Sequence, residues 1–494
     1  MEPSTTSSTD GGSTPARTPG PDSPAGPDRT TGPDRTTGIH PVDEMLPPVK
    51  LFTTGLQHVA AMYAGVVAPP LIVGAAVGLS PADLALLISA SLFTAGLATL
   101  LQTLGVWRIG ARLPFVNGVS FAGVAPMVAV SRGSIDHDGG AQNALPVIFG
   151  AVIVAGSLCF LAAPYFCKLI RFFPPVVQGT VITLIGVSLL PVAVNWARGG
   201  SPSAPGYGSM RAIGLAAVTL TAVVLGNRLL RGFWQRLSLL LGLAVGTLAA
   251  FPLGLTDFGG VRDARVFSLP SPFHFGAPQF DAAAIASMCI VMVVSMTEST
   301  ADMLALGRIV GREADEPVLA AGLRADGLAT ALSPVLNGFA ASAFAQNIGL
   351  VALTRVRSRF VVAAGGGILI LLGLFPVLGS LVSVVPQPVL GGAGIVLFGT
   401  VAASGIRTLA EAGMESGGNT ILVSVSLGVG IVPIAVPTFY DAFPEAVRTL
   451  MHSGISAGCV TAVLLNLLFH HVGAARRSGS GRASGSKVPT ATPS

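Results

Sequence analysis

Long apolar runs joined by short polar connections fill the chain from about residue 48 to residue 474. They fall at roughly 52–77, 81–105, 113–130, 143–166, 174–195, 211–230, 234–254, 281–304, 319–338, 342–354, 357–384, 389–406, 417–436 and 446–471. Most match the ~20 residues that a helix needs to cross a hydrocarbon core. The pattern predicts an all-α polytopic membrane protein with fourteen transmembrane segments. Two runs break the pattern. The third contains Pro114, Asn117, Gly118, Ser120, Phe121 and Gly123. The tenth is short and carries the amide pair Gln346-Asn347, then Gly349, then Thr354-Arg355. Polar groups and glycine at membrane depth are costly unless they line a cavity, so these two interruptions mark the place where something is bound.

Charge supports the membrane reading and orients the chain. Hydrophobic residues make up 51% of the sequence and charged residues only 10%, against about 25% charged in a soluble protein. The net charge of +5 does not mark a nucleic-acid binder, because the basic residues follow the loops and form no single patch. With both termini in the cytoplasm, 22 of the 28 Lys and Arg residues fall inside and 6 outside. This asymmetry predicts a multi-pass protein of the plasma (inner) membrane with cytoplasmic ends.

Residues 1–47 and 475–494 are polar and rich in small residues, and the first contains a tandem Gly-Pro-Asp-Arg-Thr-Thr at 26–31 and 32–37. Both read as disordered cytoplasmic tails flanking a transporter domain over 48–474. The first lacks the charged and apolar regions of a signal peptide. Cys159, Cys167, Cys289 and Cys459 lie in or beside apolar runs without a CxxC pair. They read as small core residues, with neither a disulfide framework nor a metal site.

The interrupted runs are the third and the tenth, which is the third of the second half. The fifth and twelfth runs also open alike, with Pro175-Val176-Val177-Gln178-Gly179 against Pro388-Val389-Leu390-Gly391-Gly392. Seven segments duplicated head to tail would place the second half inverted in the membrane. Paired broken segments in such halves point to a transporter's binding site.

The candidate chemistry lies in and around these segments. Glu298 is deep in the eighth run, and Asp302 follows four residues later, on the same helical face. Asp326 is near the start of the ninth. A charged carboxylate is expensive at this depth, so such a group can hold a proton and release it when its access to water changes. It can also accept hydrogen bonds from the N–H edge of a planar ligand. Gln57-His58 in the first run offers a donor, an acceptor and a proton-exchanging ring. Phe121 can stack on a flat heterocycle, and a half-helix starting near Ser120 would point N–H groups at the site centre. The carboxamide of Gln346 matches a ligand's amide edge, while Asn347 can bond either the ligand or a neighbouring helix. Arg355 can act as an orientation anchor or a gating residue.

Together these residues resemble the nucleobase–ascorbate transporter family. Its signature is Gln, Glu or Pro, then Asn-x-Gly, four residues, and Thr followed by Arg, Lys or Gly. Gln346-Asn347-Ile348-Gly349 and Thr354-Arg355 satisfy every position. The family's Gln-His pair matches Gln57-His58. Its Glu-Ser-x-Gly-Asp pattern matches Glu298 to Asp302, except that Ala301 replaces the Gly. Asp326 and the opening Phe173-Pro174-Pro175-Val176-Val177 match as well. The resemblance covers about 50–472.

It implies fourteen spans as 7+7 inverted repeats, with short strands in the broken third and tenth segments. It also implies a core domain (about 48–172 and 281–384) and a gate domain (about 173–280 and 385–474). Members in bacteria are proton symporters, and related structures are dimers. Carried over by position, Glu298 and Gln346 hold the base, and Ser120 and Phe121 complete the pocket. Asn347 is essential, His58, Gln57, Asp302 and Asp326 support proton coupling, and Gly349, Thr354 and Arg355 complete the signature. No cofactor is implied beyond the co-transported proton. Gln at the signature's first position is similar to the xanthine and uric acid carriers. Uracil carriers have Glu there, and ascorbate carriers have Pro. The expectation is a proton-coupled purine importer and not an enzyme. The alternatives are a uracil or other nucleobase permease and, more remotely, an anion exchanger or channel of similar fold.

Overall fold

The computed structural model describes residues 40–136, 144–169, 173–200, 206–256, 266–413, 417–444, 447–448, 451 and 453–472. The expected tails therefore lie outside the described residues, apart from the stretch between residue 40 and the first long helix.

Setting aside short one-turn pieces such as Phe233–Arg236, the helices described in the first half are α1 (Pro48–Val77), α2 (Pro81–Leu104), α3 (Val124–Asp136), α4 (Ala144–Leu169), α5 (Pro175–Ala197), α6 (Met210–Leu229) and α7 (Ser238–Ala250). The second seven are α8 (Ala282–Val310), α9 (Glu316–Leu332), α10 (Ala345–Thr354), α11 (Arg359–Gly373), α12 (Gln387–Glu411), α13 (Gly417–Ala435) and α14 (Gly454–Asn466). Among the described residues, α1, α2, α4, α5, α6, α8, α12 and α13 are long and apolar enough to cross a membrane. Ile213, Val218, Val224 and Leu225 of α6 are exposed, as expected of a helix that faces lipid and is apolar all round.

Two segments depart from the lengths read in the sequence. The eleventh was expected to run over 357–384, but α11 ends at Gly373 and a separate short helix occupies Pro376–Ser383. Pro376 has no N–H to donate back, so the first helix stops before it. The fourteenth was expected over 446–471; residue 446 lies outside the described residues, 447, 448 and 451 are helical, and a separate α14 begins at Gly454, where Ser453 caps it, its side chain accepting from Ser456 N at 3.2 Å.

Packing is symmetric under exchange of the two halves. α2 lies along α11 as α9 lies along α4, and α1 packs on α11 as α8 packs on α4. α6 meets α7 as α13 meets α14, and α14 meets α5 as α7 meets α12. α5 and α12, equivalent by this exchange, pack against each other. These close approaches rest on small residues. A Cβ at Gly156 of α4 would lie 2.4 Å from Ala331 N, and one at Gly327 of α9 would lie 2.4 Å from Phe160 N. Gly156→Val must therefore separate α4 from α9, at an expected cost of about 1–3 kcal/mol or more. The expected result is a lower melting temperature in detergent. An unchanged melting temperature would contradict this packing.

At the centre, β1 (Asn117–Val119) pairs antiparallel with β2 (Ala341–Ala343), with Asn117 opposite Ala343 and Val119 opposite Ala341. Each three-residue strand is fully buried.

Candidate functional site

The two strands raise an accounting problem. A two-stranded ladder leaves one row of backbone groups unpaired on each outer edge, and at this depth water is scarce. Two equivalent threonines answer it. Thr99 Oγ1 of α2 accepts from Asn117 N at 3.1 Å and donates to Asn117 O at 2.9 Å. Thr330 Oγ1 of α9 accepts from Ala341 N at 3.0 Å and donates to Ala341 O at 3.4 Å. Beyond the ladder, Ser120 N donates to Ala340 O at 2.8 Å and Phe344 N to Val116 O at 3.1 Å. Past these bonds each strand turns into a helix, at Phe121 before α3 and at Ala345 for α10. Neither helix start is capped by a side chain. Two sets of helix-terminal N–H groups thus converge with the positive ends of their dipoles.

A cavity of about 850 Å³ opens at this junction. On one wall it is lined by Phe121, by Glu298 and Asp302 of α8, and by Phe344, Ala345 and Gly349 at the start of α10. It is also lined by α5, with Pro175, Gln178, Ile182 and Ile185, and by α12, with Thr400, Ser404 and Arg407. Arg308 and Glu411 also line it. Glu298 and Asp302 reach one cavity because they are four residues apart on a continuous helix. Asp302 Oδ2 is buried without a hydrogen-bond partner among the described residues. The ring of Phe121 lies 6.4 Å from that of Phe344 and 6.2 Å, edge-on, from that of Phe398. These two rings fix Phe121 in place at the cavity wall.

Other expected site residues lie behind this surface. His58 and Asn347 are both 1% exposed and join α1 to α10. Asn347 Nδ2 lies 3.1 Å from His58 Nδ1 and 3.3 Å from His58 O. With the amide nitrogen as donor, Nδ1 accepts and the neutral ring carries its proton on Nε2. Gln57 is half-buried beside His58. Asp326 of α9 is fully buried and does not line the cavity. Its Oδ1 accepts from Gln102 Nε2 and Asn117 Nδ2, both at 2.6 Å. Both N–H donors of Gln102 are used, since it also donates to Gly322 O at 2.8 Å, and its oxygen accepts from Ala111 N at 3.0 Å. Asp326 therefore ties α9 to α2 and β1. Ser120 is likewise turned inward, its hydroxyl 3.2 Å from that of Ser295.

The signature segment ends at the far side of α10. Thr354 Oγ1 donates to Leu350 O at 2.8 Å. Arg355 is exposed and closes the helix in a left-handed conformation, φ 56°. Glycine reaches that conformation without strain, which is the physical reason a signature can admit Gly there. The side chain of Gln346 lies outside the described residues; its backbone belongs to the first turn of α10. Sequence reasoning passed over Thr99, Thr330, Gln102 and Gln178. Each is a polar residue in a largely apolar helix, the kind of signal that drew attention to Gln57-His58.

Comparisons with known proteins agree with this architecture. A family model described as "Permease family" matches residues 49–439. The uric acid transporter UacT of Escherichia coli (strain K12) is 41% identical over 445 residues, covering 89% of this chain and 91% of that protein. The uric acid permease PucJ of Bacillus subtilis (strain 168) is 42% identical, covering 85% and 92%. The xanthine permease of the same organism is 40% identical, covering 85% and 94%. Among solved structures, the murine Slc26a9 anion transporter in its inward-facing state aligns with a TM-score of 0.59 at 13% identity, over 89% of this chain and 73% of that one. The transmembrane domain of the cyanobacterial bicarbonate transporter BicA aligns with a TM-score of 0.55 at 14% identity, over 86% and 99%. At such identities these two share the fold alone.

Proposed function

Because the chain belongs to the nucleobase–ascorbate transporter family, we propose that it imports a purine nucleobase, xanthine or uric acid, across the plasma membrane with a proton. The observation that carries this reading is the cavity at the strand junction, where Glu298, Asp302, Phe121 and two uncapped helix starts meet. A flat, amide-rich ring suits that set. An ionised Glu298 accepts from its N–H edge, the helix-terminal N–H groups donate to its carbonyls, and Phe121 packs on its face. Gln346 lies in the turn of α10 whose Ala345 and Gly349 line the cavity, and it holds a second edge of the base. Relatives named for uric acid and xanthine support an oxidised purine over uracil.

In this reading α1–α4 and α8–α11 form a core that rocks against a gate of α5–α7 and α12–α14, and two copies associate as a dimer. Asp302 is the cavity carboxylate that takes and releases the proton while Glu298 holds the base. His58, Gln57, Asn347 and Asp326 hold the core's shape around them, as does Ser120 beside the strands. Thr354 and Arg355 end α10 at the cytoplasmic face, the side on which both termini lie.

The test is uptake of labelled xanthine and uric acid in a host lacking its own purine carriers. Accumulation that a protonophore abolishes is expected. No uptake, with the protein present in the membrane, would overturn the substrate assignment; accumulation that survives the protonophore would overturn proton coupling.

A further inference from the structure

Of the four α5 residues that line the cavity, Gln178 is the polar one. It also shares with Glu298 a narrow slot that includes Phe173, Ile182 and Thr297, so an amide on one wall stands near an acid on the other. Gln178 Nε2 donates to Phe173 O at 2.8 Å. The next two residues, Pro174 and Pro175, have no N–H, so neither can donate to the Phe173 carbonyl. The side-chain amide does, and in doing so it is held in a fixed orientation. One of its two N–H donors is engaged there, and its Oε1 is an acceptor that can meet whatever enters the cavity.

The repeat argues against a packing role. The position equivalent to Gln178 in the second half is Gly391. A Cβ at Gly391 would lie 2.2 Å from Ala197 N, so that site admits no side chain. The two halves are alike at the flanking Pro and Gly positions and differ here, where one half faces the cavity and the other faces a helix backbone. An amide kept only for helix packing would have no need to be at the cavity surface.

We propose that Gln178 is a specificity-determining residue that touches the substrate from the wall opposite Glu298, its Oε1 accepting a ring N–H of the base. This deepens the purine-carrier reading and rests on it. Glu298 takes one N–H edge, and Gln178 reads whether a second ring nitrogen carries hydrogen. A base with that nitrogen methylated has no hydrogen to give and must bind less well. If α5 belongs to the gate and α8 to the core, as proposed above, the contact also reports to the gate that a base is present.

The experiment measures xanthine uptake in the carrier-free host, with 1-, 3-, 7- and 9-methylxanthine as competitors, for wild type, Gln178→Met and Gln178→Asn at matched membrane abundance. For Gln178→Met the KM for xanthine is expected to rise roughly tenfold, the effect of leaving one polar partner unmet. One methylxanthine, rejected by wild type, should now compete as well as xanthine does, while the ranking of the other three stays as it was. Gln178→Asn keeps the amide but shortens it, and is expected to raise KM with the wild-type methyl ranking retained. A KM within twofold of wild type, or a lower maximal rate with an unchanged methyl ranking in both variants, would overturn the proposal. Absence of xanthine and uric acid uptake by wild type itself would instead overturn the purine-carrier reading, and this inference with it.

Discussion

Glu298→Gln is expected to abolish purine uptake while leaving the protein folded in the membrane. Glutamine is close in size, so α8 and its packing are kept. What changes is the chemistry at the cavity wall. An ionised carboxylate offers two acceptor oxygens, and hydrogen bonds to it are about twice as strong as those between neutral groups. Glutamine turns one oxygen into a donor that faces the ligand's own N–H, so an attraction becomes a clash of hydrogens. Losing one charge-assisted bond costs roughly 1.5–3 kcal/mol, or on the order of a tenfold to hundredfold loss of affinity. The measurement is initial-rate uptake beside immunoblot abundance in the membrane fraction. Uptake within threefold of wild type would remove Glu298 from the site.

Asp326→Ala is expected to destabilise the protein outright. Asp326 is fully buried, and a single oxygen, Oδ1, accepts from amides of two other elements. Removing it leaves Asn117 Nδ2 without its acceptor at the strand that forms the floor of the site. Leaving a buried amide donor without its acceptor costs about 1–3 kcal/mol for each group, a large fraction of a typical folding stability. Asp326→Asn should be milder, because its carbonyl oxygen can still accept from Gln102 and Asn117. The expected order of melting temperatures in detergent is wild type, then Asp326→Asn, then Asp326→Ala. An Asp326→Ala protein that melts with wild type and yet fails to transport would mean that Asp326 acts in the transport step and not in the scaffold.

The spans were legible because unbroken apolar length has few readings in a chain with so little charge. The site was legible where the pattern failed. Pro114, Gly118 and Gly123 announced the broken third segment, and Gln346, Asn347 and Gly349 the tenth. The spacing of Glu298 and Asp302 placed both on one face, and the cavity receives both.

What the sequence could not give was partnership. Thr99 and Thr330 look like ordinary membrane threonines until the strands between their helices show two edges that need them. Gln102 has no visible purpose until Asp326, 224 residues away, lies against it. The resemblance places the backbone near Ser120 at the pocket, and only the structure shows that the Ser120 N–H is bonded to Ala340 O and its hydroxyl lies beside that of Ser295. The single eleventh run concealed a break because Leu374, Phe375 and Pro376 keep it apolar while proline ends the helix. In each case the apolar pattern fixes depth, and only contacts between distant segments fix the role.

The most direct measurement is a structure of the purified protein solved with xanthine bound. The account predicts the base in the cavity between α8, α10 and α5, with its N–H edge within hydrogen-bond distance of Glu298 and its face against Phe121. A base seated elsewhere, or one in that cavity with Glu298 turned away from it, would contradict the account.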